Sequence, residues 1–283
     1  MKPAEFEAVA RVVRRECGLV LTPDKGYLAD SRLMPLARRW AKPSVEALAR
    51  ELMVPDPPRD LVREVVEAMV TNETFFFRDR KPFDQLKEFI LPRLLAARAA
   101  RRVIRIWCAA CSSGQEPYSI AMICKEMPQL AGWKVEILGT DISTEIIRQA
   151  KAGSYSQFEV QRGLPIQLLV KYFEQQGDRW QLDASIRSMV SFRQFNLLDS
   201  PDRLGSFDIV FCRNVLIYFD LPTKSGILGR VASVMAPDGI LYLGGAETVL
   251  GVSDRFQPVR TQQGVYELVT SDTRQVPLRL VAG

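Results

Sequence analysis

Glu116 lies in Ala109-Ala110-Cys111-Ser112-Ser113-Gly114-Gln115-Glu116-Pro117, a run of small residues ending in a proline suited to a helix's first turn. Small residues let a backbone approach a ligand closely. The run is not G-x-G-x-x-G, and an acid beside a helix start repels phosphate, so a dinucleotide pyrophosphate fits poorly. Glu116 would attract a cation instead, such as an amino acid's ammonium or a sulfonium. Asp141 follows Gly139-Thr140. It can accept both hydroxyls of a ribose, or cap a helix beginning near Thr144, and the sequence leaves both open. Asn196-Leu197-Leu198 and Arg213-Asn214 put amides beside apolar neighbours. That pairing suits an adenine ring, or equally a loop held by its own hydrogen bonds. In Thr71-Asn72-Glu73-Thr74-Phe75-Phe76-Phe77-Arg78-Asp79, three phenylalanines would ordinarily mean core. Asn72, Thr74 and Arg78 are odd company for core and hint at the wall of a site.

The chain of 283 residues contains no histidine. This removes Ser-His-Asp hydrolysis, Cys-His catalysis and His-ligated metal chemistry. Five scattered cysteines do not suggest a disulfide framework. Cys108 and Cys111 form a C-x-x-C, but zinc would need about two more ligands. Packing of small apolar residues at a strand end is favoured, and no metal site is expected.

These residues need elements to position them. Phe6, Val9, Ala10 and Val13 recur at helical spacing, and Gly18 is a stop. Leu33, Ala37 and Trp40 mark a second helix, which Pro35 should kink or restart. Ser44 and Asp60 are placed to cap a third and a fourth. Phe83, Leu86, Phe89 and Ile90 mark a further amphipathic helix, expected to break at Pro92. From Val103 the pattern becomes short apolar runs alternating with helical stretches. The strands expected are Val103–Cys108, Val135–Thr140, Met189–Phe195, Phe207–Cys212, Ile240–Leu243 and Val265–Val269. Helices fit Pro117–Glu126, Thr144–Ala150 and Pro222–Met235. Such alternation implies an α/β fold with a parallel sheet, whose ligands bind beyond the strands' carboxyl ends. Gly177-Asp178, with Trp180 and Leu182, reads as the turn of a small antiparallel insertion. The organisation expected is a helical domain over 1–78, a linker helix over 79–100 and an α/β domain over 101–283, with the β insert at about 166–192.

The net charge of +5 is uneven. Residues 11–50 hold nine Lys/Arg against four acids, and Arg93 to Arg105 holds five arginines and no acid. Basic faces steer acidic partners. Nucleic acid is not the expected partner, because only Trp40 lies near the basic runs as a stacking platform. No apolar run is long enough for a membrane span, and the N-terminus lacks a signal peptide's apolar core, so a cytoplasmic protein is expected.

Taken together, TNETFFFRD, WCAACSSGQEPYSIAM, GTDIS, FNLLD, FCRNVLIYFD and YLGGAE resemble the chemotaxis receptor methyltransferase family (CheR) over nearly the whole chain. The resemblance implies a small all-α domain followed by a Rossmann-like class I methyltransferase domain with a small β insert. It implies S-adenosylmethionine as cofactor, S-adenosylhomocysteine as product, and glutamates of a chemoreceptor's cytoplasmic helical bundle as substrate. Asn72, Thr74 and Arg78 would meet the cofactor from the N-terminal side, Glu116 would hold its methionine part and Asp141 its ribose. Asn196, Leu197, Arg213 and Asn214 would line the rest of that pocket, and Arg78 and Tyr218 would face the reacting methyl. Arg32, Arg38, Arg39 and Lys42 would dock the receptor bundle. Pro35 departs from the family's basic helix. The segment between Tyr172 and Phe192 is shorter than in members that grip a receptor's C-terminal pentapeptide, so independence from that tether is expected. A nucleic-acid methyltransferase or a non-catalytic cofactor sensor are the rival readings.

Overall fold

The computed structural model describes residues 1–269. The first four helices are α1 (Pro3–Cys17), α2 (Gly26–Arg39), α3 (Val45–Glu51) and α4 (Arg59–Met69). They share one core, which includes Val9, Val13, Leu33, Leu48, Leu61 and Val65. Gly18 ends α1 in the left-handed conformation (φ 79°), with its N–H donating to Arg14 O. Ser44 caps α3 by accepting from Ala47 N. Two expectations fail here. Asp60 is not a cap: Pro58 holds the cap position two residues earlier, α4 begins at Arg59, and Asp60 pairs with Arg63 instead. Nor does Pro35 restart α2, which runs as one helix from Gly26 to Arg39.

The next helix also runs past its proline. It is made of α5 (Lys81–Gln85), a π-helical turn (Leu86–Ile90) and α6 (Leu91–Ala97). Leu91 N bonds to Leu86 O, five residues back, and Pro92 falls in the first turn of the piece that follows, where no N–H is needed. The extra residue in the π turn shifts the register. Phe89, expected inward, is 52% exposed, whereas Phe83, Leu86 and Ile90 are buried.

The large sheet is ordered β6-β2-β1-β7-β8-β10-β9. Its parallel strands are β1 (Val103–Ala109), β2 (Lys134–Asp141), β6 (Val190–Gln194), β7 (Phe207–Cys212) and β8 (Met235–Leu243). An antiparallel pair, β9 (Phe256–Pro258) and β10 (Val265–Leu268), completes one edge. Strand order reverses at β1, which lies between β2 and β7, so the crevice for a ligand opens above their carboxyl ends. The helices α7 (Gln115–Glu126), α8 (Thr144–Ala152) and α12 (Leu221–Ser233) follow β1, β2 and β7. Helix α12 stops at Ser233, and β8 starts at Met235, five residues before the apolar run that marked it in the sequence.

Between α8 and β6 lies the insert, with β3 (Ser154–Ser156), α9 (Gln157–Gln161), α10 (Ile166–Tyr172), β4 (Phe173–Gln176), β5 (Arg179–Leu182) and α11 (Ala184–Arg187). Its sheet, β3-β5-β4, is antiparallel, and Gly177-Asp178 turns between β4 and β5 as expected. Its third strand comes from residues 154–156, upstream of the span expected for the insert.

The helical domain is tied across the crevice. Arg14 pairs with Asp220 at 2.6 Å, Asn196 Nδ2 donates to Glu16 O at 2.6 Å, and Leu19 bridges Phe219. Glu67 of α4 accepts from Ser143 Oγ, Thr144 N and Thr144 Oγ1 at the start of α8. Four of the five arginines of the run 93–105 are in ion pairs within the chain: Arg98 with Asp208 and Asp238, Arg101 with Asp208, Arg105 with Glu136 and Arg93 with Glu267. No helix of the described residues is long and apolar enough to cross a membrane.

Candidate active site

A cavity opens over the carboxyl ends of β1, β2, β6 and β7, closed on its far side by the strap Thr71–Arg80 and by Cys17 and Leu19. Asn72, Thr74, Arg78, Glu116, Asp141, Asn196, Leu197, Arg213, Asn214 and Tyr218 all line it. Residues from six segments of the chain therefore meet in one place.

Asp141 ends β2 and is buried. Its Oδ2 accepts from Ser112 N (2.9 Å) and its Oδ1 from Ser143 N (3.1 Å). The helix that follows is capped by Ser143, whose Oγ accepts from Ile146 N. The capping role that competed for Asp141 thus belongs to Ser143, and the carboxylate keeps lone pairs for a ligand. Burial raises the Asp141 pKa above the usual carboxylate range, against the opposing pull of those backbone amides.

Glu116 stands in the first turn of α7. Its Oε2 accepts from Arg213 at 2.7 Å, while Oε1 has no hydrogen bond among the described residues. Burial raises this carboxyl too, with Arg213 opposing. Two desolvated acids with spare acceptor capacity suit a cationic ligand bearing hydroxyls. They do not suit a phosphate.

Arg213 lines the cavity, but both terminal nitrogens of its guanidinium are committed, while its buried Nε has no hydrogen-bond partner among the described residues. It also pairs with Asp79 (2.7 Å) and donates to Arg78 O (2.9 Å), and its side chain is 1% exposed. It is therefore a clamp between β7 and the strap rather than a free ligand donor. Within the strap, Phe77, Asp79 and Arg80 have φ of 52°, 70° and 45°, a strained run for residues with side chains. Arg78 sits in the middle of that run, half-buried, with one nitrogen donating to Glu73 O at 2.8 Å.

The three phenylalanines are anchors and not a cavity wall. Phe76 is wholly buried and meets Tyr155 and Phe173 of the insert edge-on, at 5.0 and 5.6 Å. Phe77 packs against Phe83, and Phe75 lies under Arg78 and Arg162. Further tethers fix the strap: Phe77 N donates to Ser119 Oγ, and Ser112 Oγ donates to Asn72 O.

Asn196 serves two ends. Its Nδ2 holds Glu16 O, and its Oδ1 accepts from Leu198 N, so its side chain braces the domain junction at the cavity's edge. Cys108 and Cys111 are both buried, and burial pushes both thiols well up, away from the thiolate form that redox or metal chemistry needs.

Of the four cations expected to dock a partner, Arg32 does not belong. Its guanidinium donates inward to Met69 O, Val70 O and Thr71 Oγ1, fixing the start of the strap. Arg39 pairs with Glu64 and Lys42 with Glu51. Arg38 is exposed and has no ion pair among the described residues. Two residues at the site carried no role in the sequence reading. Asp79 holds Arg213, and Glu247 gathers the amides of the loop after β7. Their only signal was membership of the TNETFFFRD and YLGGAE stretches.

The sheet order and the reversal at β1 define a Rossmann-like domain with an acid-lined crevice at its switch point, the architecture of a class I methyltransferase. Comparison with known proteins agrees. Residues 4–70 match the CheR methyltransferase all-alpha domain, and residues 72–265 match the CheR methyltransferase SAM-binding domain. The chain belongs to the CheR methyltransferase family. It is similar to chemotaxis protein methyltransferase 1 of Pseudomonas aeruginosa (43% identical over 270 residues, 93% of this chain and 96% of that one). It is also similar to chemotaxis protein methyltransferase Cher2 of Pseudomonas putida (41% over 266 residues, 92% and 96%) and to chemotaxis protein methyltransferase 1 of Vibrio cholerae (41% over 265 residues, 92% and 95%). Its cofactor is S-adenosylmethionine, and S-adenosylhomocysteine is the product.

Proposed function

We propose that this methyltransferase forms methyl esters on glutamate side chains of a chemoreceptor's cytoplasmic helical bundle. The observation that carries this reading is the pairing of two acids, buried Asp141 and largely buried Glu116, with half-buried Arg78 and Tyr218 in one cavity of a chain without histidine. A glutamate acceptor is ionised at neutral pH, with a pKa of about 4.3, so no general base is needed. Bound S-adenosylmethionine supplies an electrophilic methyl on a sulfonium. Glu116 would hold the ammonium and Asp141 the ribose, with Asn196, Leu197, Arg213 and Asn214 completing that wall. Asn72, Thr74 and Arg78 would close over it from the strap, and Arg78 and Tyr218 would orient the incoming carboxylate. Attack by an anion on a cation spreads and cancels charge, so excluding water and fixing the approach both raise the rate.

The helical domain would receive the receptor through the basic end of α2, where Arg38 is exposed without an ion pair among the described residues and Arg39 and Lys42 flank it in ion pairs. The β4–β5 connection is only Gly177-Asp178, which leaves no long loop to grip a receptor's tail. Docking would therefore not depend on a C-terminal pentapeptide, and micromolar binding of a synthetic tail peptide would overturn that part.

Incubation with methyl-labelled cofactor and receptor-containing membranes tests the reaction. Carboxyl esters release labelled methanol in mild base. Label that stays on the protein through base treatment, as N-methyl groups do, would refute ester formation.

A further inference from the structure

The loop from Arg213 to Phe219 supplies much of one cavity wall, including Asn214, Val215 and Tyr218. Its only regular structure is a single 3-10 turn, Leu216–Tyr218. Asn214 is held at φ 58°. Something outside the loop must fix it. The backbone amides of Asn214, Val215, Leu216 and Ile217 all converge on the carboxylate of Glu247. Oε2 accepts from Asn214 N at 2.7 Å, and Oε1 accepts from Val215, Leu216 and Ile217 N at 2.9, 2.7 and 3.4 Å. Gly244 N, at the end of β8, donates to the same Oε2 at 2.6 Å. Successive amides aimed at one point form an anion-binding concavity. Here the anion is internal. Glu247 is 9% exposed and does not itself line the cavity.

We propose that Glu247 is a positioning residue for the cofactor site, setting the 213–219 loop by filling its ring of amides from within. A full negative charge with two acceptor oxygens is what five converging donors require. Glutamine would turn an NH2 group against N–H donors, and aspartate is one methylene short of the ring. Gly244 serves the same device. A Cβ there would come 2.7 Å from Glu247 Oε2 and from Asn214 Nδ2, and 2.9 Å from Asn214 N, so only glycine lets the carboxylate reach the loop.

The inference rests on the cavity being the cofactor's, and the test separates the two ideas. S-adenosylhomocysteine affinity is measured by calorimetry on the full chain, alongside backbone hydrogen exchange at residues 214–217. Glu247→Gln is expected to weaken affinity roughly 10- to 100-fold and to speed exchange of those four amides, with β1 amides unchanged. Gly244→Ala, which keeps the carboxylate but displaces it, should do the same and decides the matter if Glu247→Gln does not fold. Val231→Ala, a buried truncation on α12, controls for lost stability and should lower the melting temperature while keeping affinity. Wild-type affinity and exchange in Gly244→Ala would overturn the proposal, as would losses no larger than those of Val231→Ala. Should Asp141→Ala also bind normally, the cofactor reading of the cavity falls with it. Normal binding confined to the Glu247 and Gly244 variants refutes the positioning role alone.

Discussion

On the sheet side of the cleft, the buried carboxylates of Asp141 and Glu247 are bonded to backbone amides, and Glu116 is braced by an arginine. On the opposite side, Thr71–Arg80 forms no helix or strand, and three of its residues stand at positive φ. The sheet side is rigid because strand ends and helix starts fix its donors and acceptors. The strap is held at separate points, among them Phe76 in the insert's aromatic cluster, Phe77 on Ser119, Asn72 on Ser112, Asp79 on Arg213 and Thr71 on Arg32. Strain of this kind persists where surrounding contacts over-determine the backbone, and it is found where geometry serves chemistry. On the proposed function, cofactor affinity would rest chiefly on the sheet wall and alignment of the acceptor chiefly on Arg78 of the strap.

Arg78→Ala strikes the strap and should have the largest effect. Turnover is expected to fall on the order of 10²- to 10³-fold, as when one oriented donor is removed from a reacting site. Affinity for S-adenosylhomocysteine should change by only a few-fold, and circular dichroism should show an intact fold. A variant that binds poorly but turns over normally at saturation would reverse the division between the walls.

Asp141→Ala strikes the sheet wall. It removes the proposed ribose acceptor and leaves Ser112 N and Ser143 N without their partner. Affinity should drop roughly 10²-fold by calorimetry, since hydrogen bonds to a charged group contribute about 1.5–3 kcal/mol each. Turnover at saturating cofactor should suffer far less than in Arg78→Ala. Unchanged affinity would remove Asp141 from the site.

Acidity probes the same wall with a smaller effect. Burial raises both Glu116 and Asp141 in the folded protein. A raised folded-state pKa means these groups favour the fold on the acid side, and that contribution is lost as pH climbs through the raised value. Cofactor binding runs the other way, because only the ionised carboxylates attract its ammonium and accept its hydroxyls. Affinity should therefore fall on acidification through those raised values, by at most about tenfold per pH unit for each group, with protons released on binding in the same range. A flat profile down to the acid limit of the fold would remove both carboxylates from cofactor binding.

What the sequence disclosed about this cleft follows a physical line. Local signals were readable. Gly18 ends α1, Ser44 caps α3, Gly177-Asp178 turns the hairpin, and the apolar runs at 103, 135 and 207 are strands of the parallel sheet. Asp141 and Glu116 stood out because acids rarely follow buried strands without a use. Partners distant in the chain were not readable. Nothing near Arg213 says that Asp79, 134 residues away, neutralises it, and nothing near Asn214 points to Glu247. Pro92 looked like a break because a π turn leaves no mark in apolar spacing. β3 and β9 were invisible because three residues are too short to show alternation.

Charge shows the same limit, and the smallest prediction turns on it. Arg32 and Arg38 are six residues apart on α2 and looked equivalent, yet one is spent on the strap and the other is exposed without a partner. Arg38→Glu should raise the KM for receptor several-fold at low ionic strength and leave turnover at saturating receptor unchanged, since an exposed charge acts mainly on encounter. Added salt should shrink the difference, because screening weakens attraction in the wild type and repulsion in the variant alike. Arg32→Ala should behave as a strap variant instead. It should lower the melting temperature and reduce turnover, with a loss that salt does not alter, because its donors bind part-buried backbone carbonyls at 2.7 and 3.0 Å. A salt-sensitive KM defect in Arg32→Ala, or a salt-insensitive turnover defect in Arg38→Glu, would show that the docking face and the strap are not the separate structures their contacts describe.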